Sequence, residues 1–417
     1  MPESIKTIED NIIARLRPAK QEFSEVDETI KSINGLLKEH RIKAECVAAG
    51  SYAKGTILKD DFDVDLFVRF DYSYKDKGIS EMLFKAISPL KPERIHGSRD
   101  YYHLKKKSIM FEIIPVLRID DYRKAANVTD MSPLHVSYAR KHFDAKPGFT
   151  DEVRLAKQFC KSAKIYGAES YIRGFSGHVL DMLIINYGSF EKLLMQASVW
   201  GERVIIDIEN HLKDPVKQLN KAKVASPLII VDPIQPDRNA AAALSKEAFE
   251  EFKSKAKEFL ENPSERFFEI RKMNLTKVKK NAGKEWLLVL EAVPTDDSDD
   301  VAGTKLLKCH EKIQKELSMN DFKLLETEWE FSPKKSTLCY IIKKEGLSDK
   351  IIMQGPPIKV KENAKMFMEK HRKTFEKEGR LYAEEKRKYL TPEALIKELV
   401  KSDYISERVK KISISSI

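Results

Sequence analysis

Apolar positions recur every three or four residues from Ile5 to Leu37, which predicts two amphipathic helices interrupted near Pro18 and together covering the segment that follows. Between Glu45 and Ile119 the texture changes to short β-type runs, AECVAAG, DVDLFVRF, YYHLKK and SIMFEIIPVLRI, with a helical SEMLFKAIS segment among them. This alternation reads as an α/β domain. From Glu152 to about Asn210 helical spacing returns in VRLAKQFCKSAKIYG and HVLDMLIINYGSFEKLLMQASVW, and a mostly helical second domain is expected. The stretch PLIIVDPIQPDRNAAAALS combines a short strand, a Pro-rich turn and a helix start. Beyond Ser264, strands are expected at EWLLVLEAV, LLETEWEFS and STLCYIIKK, with the helix KLLKCHEKIQKEL between the first two. That order suits a split α+β sandwich of the ferredoxin-like type. Residues 356–401 carry 13 Lys/Arg against 8 Glu and are expected to form a helical, solvated tail facing a polyanion.

Composition narrows the class. A chain of 417 residues allows about three domains at roughly 150 residues each, so a peptide hormone or a disulfide mini-scaffold is excluded. Apolar residues are 42% and charged residues 34%, the balance of a globular chain with an ion-dense surface. The formal net charge of +10 favours a polyanionic partner, either nucleic acid or a membrane surface. Cys46, Cys160, Cys309 and Cys339 show no CxxC pairing, which predicts reduced, buried thiols and a cytoplasmic setting. The charged N-terminus lacks the apolar centre of a signal peptide, and no uncharged stretch approaches the ~20 residues needed to cross a bilayer, so no membrane partner is expected.

The sharpest chemical feature is Asp61-Phe62-Asp63-Val64-Asp65-Leu66-Phe67-Val68-Arg69-Phe70. In a strand, Asp63 and Asp65 share one face while Phe62, Val64, Leu66, Val68 and Phe70 pack the other. Two carboxylates about 4 Å apart repel by roughly 4 kcal/mol at an effective dielectric near 20, so a cation or a proton must relieve them. A divalent cation such as Mg²⁺, bound through one or two carboxylates and substrate phosphates, is the natural relief. Glu112 interrupts an apolar strand where an unpaired charge would be costly, and is the candidate third acid. Gly50-Ser51 lies between a predicted strand and helix, where backbone N–H groups and a hydroxyl can meet phosphate oxygens, and Lys54 adds charge.

GSYAKGTILKDDFDVDLFV followed by FEIIPV resembles the polymerase-β-type nucleotidyltransferase signature. SPLHVSYARKHF, the long IYGAE…RGFSGHVLDMLIINYGSF block, IIVDPIQPDRNAAAALS, GPP at 355–357 and GRLYAEEKR extend the likeness over nearly the whole chain to the class I (archaeal) CCA-adding enzymes. The resemblance implies an α+β multidomain fold. A nucleotidyltransferase α/β head is expected at 1–145, a mainly helical nucleotide- and tRNA-binding domain at 146–258, and a ferredoxin-like α+β body with the helical tail at 259–417. It further implies metal ligation by Asp63, Asp65 and Glu112, with Mg²⁺ as cofactor. The family's first ligand is often Glu and its third Asp, so the acid types are partly exchanged here. Ser51, Lys54, His135, Lys157 and Tyr166 match triphosphate-contacting positions, and Arg238 matches the arginine that reads the base of the incoming nucleotide.

The activity so implied is template-independent addition of C, C and A to the 3′ end of tRNA from CTP and ATP, with release of pyrophosphate. The basic C-terminal half would hold the acceptor stem and T-loop by phosphate and 2′-hydroxyl contacts. Oligomeric state stays open, a homodimer included. Poly(A) polymerases and oligoadenylate synthetases share the catalytic signature, and a catalytically silent RNA-binding protein on the same scaffold is the reading from a different class.

Overall fold

The computed structural model describes residues 4–19 and 23–415 and divides into two compact units, 1–270 and 271–417. The first unit begins with α1 (Ile5–Leu16) and α2 (Ser24–Glu39), followed by β1 (Ala44–Ala48), the single turn α3 (Gly50–Ala53), β2 (Asp63–Phe70), α4 (Ile79–Ile87), β3 (Glu93–Ile95), β4 (Tyr101–Lys106) and β5 (Ile109–Leu117). The strands form one sheet in the order β1-β2-β5-β4-β3, with β2 and β5 parallel and the other pairs antiparallel. Val64, Leu66, Val68 and Phe70 of β2 pack with Phe111 and Ile113 of β5 against Val26, Ile33 and Leu37 of α2 and Leu83 and Ile87 of α4. One face of the sheet is thereby dry, which leaves the opposite face for the acids.

The two N-terminal helices part company. Val26, Ile33 and Leu37 place α2 over the sheet as expected, whereas Ile8 and Ile12 of α1 join a different core. That core gathers α5 (Ser132–Ala145), α6 (Phe149–Ser162), α7 (Gly177–Tyr187), α8 (Phe190–Ala197) and the short β6 (Val204–Ile206), and, after the turn α9 (Pro215–Gln218), which buries no residue, β7 (Leu228–Ile230) and α10 (Lys246–Glu261). Its centre is aromatic: Phe159, Phe190, Phe252, Phe259, Phe267 and Phe268 meet largely edge to face. The stripe from His178 to Trp200 breaks into α7 and α8 at Gly188, whose φ of 88° is left-handed, and the Ser189 hydroxyl caps α8 by accepting from Lys192 N–H.

Asp130 anchors the end of β5 to the start of α5. It is buried and accepts from Leu117 N (2.8 Å), Ala126 N (3.1 Å), Asn127 N (3.0 Å) and the Arg99 guanidinium. Asp130→Ala leaves that guanidinium and three N–H groups without their acceptor, and a loss of about 3–5 kcal/mol is expected in urea unfolding.

The second unit contains α11 (Leu275–Ala282), β8 (Trp286–Pro294), α12 (Asp299–Met319), β9 (Leu324–Glu330), β10 (Ser336–Ile342), β11 (Lys350–Pro357), α13 (Lys361–Lys370), β12 (Thr374–Lys377), β13 (Arg380–Lys386), α14 (Pro392–Leu399), the turn α15 (Asp403–Ser406) and β14 (Val409–Ile414). The antiparallel order β14-β8-β10-β9, with α12 and α14 packed through Leu306, Ile313, Leu317, Leu395 and Ile396, is the ferredoxin-like arrangement. The segment expected to be a helical tail differs locally. Besides α13 it supplies β12 and β13, which join β11 from just upstream in a second sheet, β11-β13-β12, ahead of α14. Leu381 and Ala383 alternate with half-exposed neighbours along β13, a period-2 signal masked in the sequence by the density of Lys and Glu.

All four cysteines are unpaired and buried, and burial pushes each thiol above its ordinary pKa. Among the described residues no helix is long and apolar enough to cross a membrane.

Candidate active site

The site starts from the register of the sheet. β2 and β5 run parallel with Asp65 opposite Glu112, and antiparallel pairing sets His103 of β4 on the other side of Glu112. Side chains of paired residues stand on the same face, so Asp63, Asp65, Glu112 and His103 share the side turned away from the α2/α4 core. His103 Nε2 lies 3.2 Å from Glu112 Oε1. Phe111 and Ile113 point into the core, as expected from the apolar flanks of Glu112.

Gly50-Ser51 closes over this face. Gly50 has a φ of 53°, and a Cβ there would fall on the Asp65 carboxylate, so both conformation and space demand glycine. The Ala49 amide donates to the Asp65 carbonyl at 2.9 Å, which ties the turn to the strand.

Like charges accumulate here and are only partly offset by nearby cationic groups. Burial, and then Glu112, push the Asp65 carboxyl up to about 6, with Lys54 opposing. Burial, and then Asp61, raise Asp63 as well, with His103 and Lys161 opposing. Lys54 is already committed to the buried Asp181 carboxylate of α7. Hard oxygen donors held together at an electrostatic cost fit a hard divalent cation.

Of the other predicted triphosphate contacts, Lys157 and Tyr166 lie near Asp181 and Asp61. Lys157 of α6 is buried, donates to the Thr56 carbonyl (3.0 Å) and approaches its hydroxyl (3.2 Å), and burial pushes its ammonium down to about 8. Tyr166 follows α6, with the Lys161 ammonium 5.3 Å from its ring centre; burial raises its phenol above the ordinary value. Ser51 is half-buried in α3.

His135 and Arg238 form a separate cluster centred on Asp232, a residue not anticipated. His135 Nε2 lies 2.9 Å from both Asp232 carboxylate oxygens, and Arg238 Nη1 lies 3.0 Å from Oδ2. His178 Nε2 is 3.5 Å from Oδ2. Among the described residues, His135, His178 and Asp232 form the group whose ligand atoms all lie within 4.8 Å of one another. The acid trio, sharing one face, is less tightly drawn together. Helix α7 joins the two clusters: His178 faces Asp232, and Asp181, three residues on, faces Lys54. The signal that picked out Glu112, an acid within or after an apolar run, also marks Asp181 in HVLDML and Asp232 in IIVDP.

Three family models match in chain order. They are a nucleotidyltransferase domain over 30–115, the second domain of tRNA nucleotidyltransferase over 151–269 and the C-terminal domain of the CCA-adding enzyme over 288–412. The CCA-adding enzyme of Methanocaldococcus jannaschii is 30% identical, over 95% of this chain and 91% of that protein. That of Nanoarchaeum equitans is 32% identical, over 88% and 90%. Among solved structures, Cid1, described as an RNA terminal uridylyl transferase, superposes with a TM-score of 0.51 at 16% identity over 65% of this chain and 100% of its own, a likeness of fold. Divalent metal is the general requirement of the nucleotidyltransferase superfamily, in keeping with the donor set of the sheet. Relatives and domain models together span this chain nearly end to end, and it belongs to the archaeal CCA-adding enzymes, a family of tRNA nucleotidyltransferases.

Proposed function

We propose that the chain builds CCA on the 3′ end of tRNA at one site, with Asp63, Asp65 and Glu112 holding Mg²⁺. The observation that carries this is the parallel register of Asp65 with Glu112 beneath the Gly50-Ser51 turn. The metal, when bound, would lower the pKa of the terminal 3′-hydroxyl and offset charge on the departing pyrophosphate. The hydroxyl oxygen attacks the α-phosphorus, the bond to the β-phosphate oxygen breaks, and pyrophosphate leaves. Gly50, Ser51, Lys54, His135, Lys157 and Tyr166 orient the triphosphate, and Arg238, a donor without acceptors, addresses carbonyl or ring-nitrogen acceptors of C and A. In this reading 1–145 is the catalytic domain, 146–258 binds nucleotide and tRNA, and 259–417 binds the acceptor stem and T-loop. The setting is cytoplasmic, and a homodimer is compatible with the reading.

Incubation of a tRNA lacking CCA with Mg²⁺ and each nucleoside triphosphate singly tests the reading. Incorporation of C first supports it, and a long A-tail favours a poly(A) polymerase instead. Unchanged incorporation by Asp63→Ala and Asp65→Ala removes the metal assignment.

Lys157 makes the site sensitive to alkali. Burial brings its pKa from the ordinary 10.5 down to about 8, so its charge is half lost at about pH 8 and mostly gone one unit higher. The KM for CTP is expected to climb above about pH 8. Lys157→Arg, with a guanidinium that stays charged, should flatten that climb. A flat wild-type profile to pH 9.5 would take Lys157 out of the triphosphate site.

A further inference from the structure

Asp232 is not among the residues proposed above to touch metal or nucleotide, yet its carboxylate is heavily bonded. It follows the apolar strand β7 and is fully buried. A carboxylate is not kept in such a place without partners. Its Oδ1 accepts from the backbone N–H groups of Ile234 (2.9 Å) and Gln235 (3.1 Å), which fix its orientation within its own turn. The Asp232 amide donates to the Arg238 carbonyl at 3.0 Å and the Arg238 amide to the Gln235 carbonyl at 2.9 Å, so the backbone closes the turn at both ends. Rigidly held, the carboxylate then meets two side chains, one distant in sequence and one from its own turn. His135 comes from α5, and because an ionised carboxylate only accepts, its Nε2 must carry hydrogen. Arg238 comes from the far side of the turn.

The partners are unequal. The Arg238 side chain is 43% exposed, and Asp232 is its one side-chain partner among the described residues, so that carboxylate decides where a long, rotamer-rich group points. The His135 ring is further confined by His178, at 4.7 Å between ring centres. Burial alone would raise the Asp232 pKa, but the hydrogen bond from His135 and the approach of His178 hold it far below the ordinary range.

We propose that Asp232 is a positioning residue that fixes His135 and Arg238 relative to each other, coupling the triphosphate end of the nucleotide site to its base-reading end. The proposal rests on the nucleotide contacts proposed for those two residues. A metal ion on His135, His178 and Asp232 is the rival use of the cluster. It is disfavoured because the Arg238 guanidinium already meets the carboxylate that such an ion would need.

The test is nucleotide selection on a tRNA ending before its first C, read as the ratio of kcat/KM for CTP to that for UTP. Asp232→Asn keeps the size and removes the charge. It is expected to lower the ratio by about tenfold, the scale of one well-placed base contact, with Arg238→Ala giving a similar fall and the double variant falling no further. A merely structural role would lower both kcat/KM values together, and an unchanged ratio in Asp232→Asn beside a lowered ratio in Arg238→Ala overturns the coupling alone. If Arg238→Ala itself leaves the ratio unchanged, the base-reading assignment beneath the proposal fails with it. Where Asp232→Asn does not fold, the cycle of His135→Ala with Arg238→Ala decides the matter. Losses in kcat/KM for CTP that fall short of multiplying support a shared anchor, and losses that multiply reject it.

Discussion

Asp65→Asn is expected to reduce nucleotide incorporation by a factor on the order of 10³ or more and, in metal-free buffer at pH 7, to raise the melting temperature. The first effect follows from removing a ligand whose metal supplies several kcal/mol of transition-state stabilisation, at about 1.4 kcal/mol per decade. The second follows from the folded pKa of about 6, set by burial and by Glu112, against the ordinary 3.8. An acid raised in this way costs nothing below pH 4, where it is protonated in both states, and its full penalty is felt above pH 6. That penalty is on the order of 3 kcal/mol, at about 1.4 kcal/mol per unit of pKa. The thermal gain of Asp65→Asn should therefore shrink as pH falls from 6 to 4. Added divalent metal should raise the wild-type melting temperature and leave the variant nearly unmoved. A variant that melts lower than wild type in chelator would show that the surroundings of Asp65 stabilise its charge instead of opposing it.

Affinity for tRNA should collapse with salt. If the protein neutralises about five phosphates, the dissociation constant rises roughly 500-fold between 50 and 200 mM monovalent salt. The second unit has the means: Lys359, Lys361, Lys370, Arg372, Lys386 and Lys401 are all exposed. Changing Lys370, Arg372 and Lys386 together to Gln is expected to flatten the log–log slope by about 2–3, with base selection at the 3′ end untouched. Filter binding across four salt concentrations measures both slopes. An affinity constant from 50 to 200 mM would remove the phosphate-binding role of this surface.

Much of the site was legible because its signals are local. Alternation in DVDLFVRF determines which face each residue takes, and an acid between Phe111 and Ile113 is conspicuous wherever the strand lies. What could not be read was partnership. The stripe of α1 shows that Ile8 and Ile12 are buried but not that they pack with α6 rather than on the sheet, since amphipathicity specifies a face and leaves the neighbour open. Asp181 and Asp232 carried the same apolar-flank signal as Glu112, but their partners Lys54 and His135 lie far off in sequence and are brought to them only by tertiary packing. In the basic segment after 356, the strands β12 and β13 were hidden because charge on the exposed face dominates composition while two small buried positions, Leu381 and Ala383, carry the period.

The buried contacts of Lys54 with Asp181 and of Lys157 with Thr56 span the seam between the sheet and the helical bundle of the first unit. Removing one partner of a buried ion pair costs about 3–5 kcal/mol because the charge left behind has no counterpart, so this seam tolerates little change at Lys54 or Asp181. Two of the side chains proposed for the triphosphate are thus also the ones that hold sheet and bundle together. Under the proposed roles, a change of selection from C to A would fall to the residues around Arg238 rather than to Lys54 and Lys157, which the architecture cannot spare.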